Sequence, residues 1–143
     1  MNIQELKSLL RSVSIKQNQI NELAARRDEI IAAAALPSCG CYESSNHSRK
    51  GYRGDKVGSA IAKAAAIDEQ LAAVFDDYAA AFKAVRELTG RCNDAIIIVL
   101  LRRRYLCCQD WTEVSAALDI TPRYAMRLHK KALAQLAASV AAG

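Results

Sequence analysis

The chain has 143 residues and a mass of 15.6 kDa, enough for one domain or one domain with a helical extension. Hydrophobic residues make up 52% of it and Pro occurs only twice, which excludes a disordered chain; with Ala the commonest residue, it points to an all-α protein. The net charge of +5 suits a nucleic-acid binder, and the excess is densest in residues 91–143, where eight basic groups stand against four acidic ones.

No apolar run exceeds seven residues (Ala95–Leu101), far short of the roughly 20 that span a bilayer, so no membrane segment is expected. Glu5 and Lys7 interrupt the N-terminus, no signal peptide is recognisable, and the expected location is the cytoplasm. Five cysteines, odd in number and unevenly spaced, make no disulfide framework.

From about Ile3 to Leu36 the chain lacks Pro and Gly. Leu6, Val13 and Ile20 repeat at one heptad position, with Leu9, Leu23 and Ile30 at its partner, while Lys16 and Arg27 break the stripe. This spacing predicts a long amphipathic helix over 3–36 with an imperfect coiled-coil seam, about 50 Å long.

Residues 37–54 combine Pro, three Gly, four Ser and Asn without periodicity and read as a mobile polar linker. Cys39-Gly40-Cys41 with His47 resembles half a zinc site. A second ligand pair at the proper spacing is missing, so no metal is expected. Arg49, Lys50 and Arg53 beside Tyr42 and Tyr52 offer a nucleic-acid contact, but a solvated flexible loop is the favoured reading.

A second long helix is predicted over 55–88. Val57, Ala64, Leu71, Tyr78 and Val85 recur every seven residues, and Ile61, Phe75 and Phe82 are taken as the companion position. Small residues at Ala60, Ala64 and Ala81 would let a partner helix come close. Two such seams most simply make an antiparallel hairpin, or else pair between chains in a homodimer. A Gly at position 90 suits the helix end, and residues 1–90 form the first expected domain.

The second expected domain, 91–143, changes to short helices. Asn93 or Asp94 can cap a helix running to about Leu106, apolar nearly all round, with Arg102, Arg103 and Arg104 in its last turn complementing the helix dipole. Asp110 and Glu113 make a capping box for a helix over Trp111–Leu118. Thr121, followed by Pro122, caps a third helix reaching about Val140. Apolar positions Val114, Leu118, Ile120, Ala125 and Leu128 about a three-residue turn give a helix-turn-helix pattern, with the small Ser115 where the helices cross. Asp119 stands where Gly usually supplies a left-handed turn, a conformation Asp tolerates. Cys92, Cys107 and Cys108 are read as small buried hydrophobes.

Arg104-Tyr105-Leu106, Trp111-Thr-Glu-Val114, Leu118-Asp-Ile-Thr121 and Arg127-Leu-His-Lys-Lys-Ala-Leu133 resemble the region-4 helix-turn-helix of bacterial sigma factors. The layout of coil, polar loop, second coil and terminal module resembles small phage- and prophage-encoded proteins similar to late-gene transcription regulators. The motif match covers the C-terminal third; the rest is a likeness of layout. The resemblance implies double-stranded DNA binding in a bacterial host cytoplasm, with RNA polymerase as a further partner.

On this reading the third helix enters the major groove. Arg123 and Arg127 are candidates for base-edge contacts with Thr121 and Tyr124 beside them, Lys130 and Lys131 are assigned to phosphates, and Arg102 and Arg103 are additional candidates for backbone contacts. His129 is expected to face solvent or a phosphate. Without a phosphate loop, nucleophile elbow or HExxH motif, the chain reads as a binder that needs no cofactor. The alternatives are a phage DNA-packaging recognition subunit and a protein-only adaptor whose basic helix meets an acidic partner such as a polymerase subunit.

Overall fold

A computed structural model of the chain describes residues 1–35 and 49–143, between 49 and 55 by the backbone alone. The described residues form five helices and no strand: α1 (Ile3–Ala35), α2 (Arg49–Thr89), α3 (Ala95–Tyr105), α4 (Trp111–Leu118) and α5 (Pro122–Ala142). The protein is all-α. Among the described residues no helix is long and apolar enough to cross a membrane.

The second helix starts at Arg49, six residues before its predicted start, so part of the expected linker is helical in spite of Gly51 and Gly54. Residues 36–48, with Cys39, Cys41 and His47, lie outside the described residues. So does most of the predicted mobile linker.

Two compact units result, and they do not divide at residue 90. One comprises Met1–Gln17 and Asp76–Gly143; the other is Asn18–Phe75. The reason is in the burial of α1: Leu6, Leu10 and Val13 are almost wholly covered and share a core with Val85 and Leu88 of α2 and with α3, α4 and α5. The helix-turn-helix therefore does not close its core alone. At roughly 25 cal/mol per Å² of apolar surface, each such buried Leu contributes on the order of 2 kcal/mol.

In the second unit Ile20, Ala64 and Ile67 are buried, and Arg27 Nε lies 2.6 Å from an Asp68 carboxylate oxygen. In the first unit Lys16 Nζ lies 3.5 Å from Asp77. The two breaks in the apolar stripe of α1 are thus partners for acids on α2 of the same chain.

The predicted companion position on α2 is wrong by one residue. Ile61 is 65% and Phe75 51% exposed, and Val57 is exposed as well. The covered row is instead Ala60, Ile67, Val74, Ala81 and Leu88, three residues after rather than four after the Val57–Val85 row. Side-chain size suggested the other row, but Asp68 belongs to it with Ile61, Phe75 and Phe82 and marks it as a flank. Phe82 remains partly covered on the edge of the core and packs 5.9 Å, centroid to centroid, from Tyr78.

Candidate nucleic-acid interface

The helix starts in the C-terminal third follow from side-chain caps. Asp94 accepts from the Ile96 N–H at 3.1 Å. Asp110 accepts from the Glu113 N–H at 2.8 Å while Glu113 accepts from the Asp110 N–H at 3.0 Å, so the capping box is complete. Thr121 Oγ1 accepts from the Tyr124 N–H at 3.2 Å, with Pro122 at the first helical position. Each satisfies a backbone donor that a helix N-terminus leaves free.

Between α4 and α5, Asp119 adopts φ 54° and ψ 46°, the left-handed conformation that ends α4. The Ile120 N–H then bonds Ser115 O at 3.0 Å, folding the chain back on itself. Ser115 is buried, and its hydroxyl donates to Thr112 O at 2.9 Å, so the small side chain leaves no polar atom unmet. Val114 of α4 and Ala125, Leu128, Ala132, Leu133 and Leu136 of α5 face the core.

That arrangement leaves the opposite face of α5 open. Thr121, Arg123, Tyr124, Met126, Arg127, Lys130 and Lys131 are all exposed. Arg123 and Arg127, one helical turn apart, share a face, and none of the four cations makes an ion pair among the described residues. Thr121 is also the cap, so part of its hydrogen-bonding capacity is already used.

The arginines at the end of α3 differ from those on α5. All three are half-buried and have partners within the chain. Arg102 Nε donates to Thr89 Oγ1 at 3.3 Å, and this wholly buried hydroxyl donates in turn to Arg86 O at 3.0 Å. Arg103 reaches the Gln109 side chain at 3.5 Å. Arg104 donates to Gln109 O at 2.8 Å and lies 4.9 Å over the Trp111 ring. Arg102 and Arg103 are thus engaged in joining elements.

His129 does not face solvent. It packs edge-on against Trp111, with centroids 4.9 Å apart, and its Nε2 lies 2.5 Å from the Tyr105 hydroxyl. Burial, then the positive charges of Arg104, Lys7 and Arg11, holds its pKa down at about 4. The imidazole is therefore neutral at physiological pH and shares a hydrogen bond with the Tyr105 hydroxyl, whose own pKa burial raises. Helical phase carries the signal: His129 is four residues after Ala125 and four before Leu133, on the buried face.

Cys92 is buried as expected, but Cys107 and Cys108 are exposed. They terminate α3, where the Cys107 N–H bonds Arg102 O at 3.0 Å and the Gln109 N–H bonds Arg103 O at 3.1 Å. Such a helix end requires a left-handed residue, and Cys108 takes that place at φ 54°. Val99 is likewise exposed, so α3 is apolar in sequence without being buried all round. Among the described residues no three His, Cys, Asp or Glu side chains gather as a metal site.

No family model, curated protein or solved structure matches this chain.

Proposed function

We propose that this protein binds double-stranded DNA sequence-specifically through α5 and regulates transcription of phage or prophage genes in a bacterial cytoplasm. The observation that carries the reading is the outward face of α5, where Arg123, Arg127, Lys130 and Lys131 are exposed beside Tyr124 without ion-pair partners among the described residues. That face sits behind a short capped helix and a left-handed turn, the local geometry that lets a helix project into a groove.

Arg123, Tyr124 and Arg127 occupy the first two turns of α5 and suit base edges, since guanidinium groups bond guanine bidentately. Lys130 and Lys131 follow a turn later and suit phosphates. The sigma region-4 likeness of the motifs adds RNA polymerase as a second partner.

Selection of bound fragments from a pool of random duplex DNA tests the reading. It predicts enrichment of a defined sequence by the parent and loss of that enrichment in Arg123→Ala/Arg127→Ala. Failure to enrich any sequence, with binding retained to an isolated polymerase subunit, would favour the protein-only adaptor.

A further inference from the structure

Two more cations lie in the same compact unit as α5, at the opposite end of the sequence. Leu6, Leu10 and Val13 point α1 into the core that α3 and α5 share, and this fixes the rotation of the helix. Lys16 lies on one flank of that buried stripe and reaches Asp77 of α2. At 100° per residue, Lys7 and Arg11 fall on the other flank, away from α2, one turn apart. Lys7 is half-buried and Arg11 exposed, and neither has an ion-pair partner among the described residues.

The side they occupy is that of Tyr105 and His129. Both cations help to hold the imidazole neutral, and Arg11 also opposes the rise that burial imposes on the phenol. His129 immediately precedes Lys130 on α5, and Arg104 lies over Trp111 in the same cluster. A concentration of positive charge around a neutral aromatic cluster, with no ion pair to it among the described residues, favours an anion from outside the chain.

We infer that Lys7 and Arg11 of α1 contact the DNA sugar–phosphate backbone, so that the interface extends from α5 onto the first helix. This rests on the DNA-binding reading above and adds to it a second, sequence-independent patch. It also gives the packing of α1 against the C-terminal helices a functional consequence: the coil is part of the DNA-binding body.

The test measures binding of the full chain to a mixed-sequence duplex over a range of salt concentrations. It compares the parent with Lys7→Gln/Arg11→Gln and with Lys63→Gln, an exposed cation of α2 in the other unit. Each phosphate contact contributes about 0.9 to the slope of log affinity against log salt, so the double variant should lower the slope by about two and Lys63→Gln should leave it unchanged. Circular dichroism confirms that the double variant folds, and an NMR titration should find the His129 pKa raised in it. An unchanged slope in a folded double variant, with the parent still bound and salt-dependent, overturns this inference alone. A parent that does not bind the duplex overturns the DNA reading and this inference with it.

Discussion

Asp119 carries the turn of the helix-turn-helix in a conformation that L-residues disfavour, at φ 54° and ψ 46°. A short polar side chain lessens that cost, and Gly abolishes it. Asp119→Gly is expected to be neutral or to stabilise by up to about 1 kcal/mol, and Asp119→Val to cost about 1–2 kcal/mol, in urea unfolding. His129 gives a second prediction. Its folded pKa of about 4 lies below the ordinary 6.5, so the unfolded chain binds the extra proton first as pH falls. The stabilisation is complete above about 6.5 and is lost as pH falls through about 4. Thermal melts from neutral pH down to 4 should show this component in the parent and its absence in His129→Gln. An identical pH slope in both would refute the burial of a neutral imidazole.

At the scale of elements, each unit holds its part of α1 against its part of α2 through buried apolar residues and one ion pair. The Lys16–Asp77 and Arg27–Asp68 pairs are largely solvent-exposed, so each adds at most about 1 kcal/mol and serves register more than stability. Core residues carry the energy. Leu10→Ala should cost about 2–5 kcal/mol, whereas Phe75→Ala should change stability by no more than about 0.5 kcal/mol. Chemical denaturation of the two variants checks the seam, and a large loss in Phe75→Ala would restore the four-residue companion row.

The caps were legible in sequence because each depends on one side chain a few residues from the backbone group it satisfies. Asp94, the Asp110–Glu113 box, Thr121 with Pro122 and the Asp119 turn all stand where local chemistry puts them. The companion row of α2 was harder to read, since a three-residue and a four-residue offset both give apolar stripes and Asp68 alone separates them. His129 and the exposed cysteines were missed for a related reason: their surroundings come from other helices and from a helix end.

Across the whole molecule, charge is distributed unevenly along the chain. The stretch 57–90 is acidic, while the basic stretch 91–143 leaves four cations on one face of one helix without an ion pair among the described residues. The account stands on that face reading DNA. Its most direct test is a fluorescence titration of parent, Arg127→Ala and Lys130→Ala against a selected duplex and a scrambled one, at two salt concentrations. Arg127→Ala should lose about 1–3 kcal/mol on the selected duplex and narrow its advantage over the scrambled one. Lys130→Ala should weaken both alike and lower the salt slope by about one. If both variants remain folded and bind both duplexes as the parent does, the basic face of α5 does not read DNA.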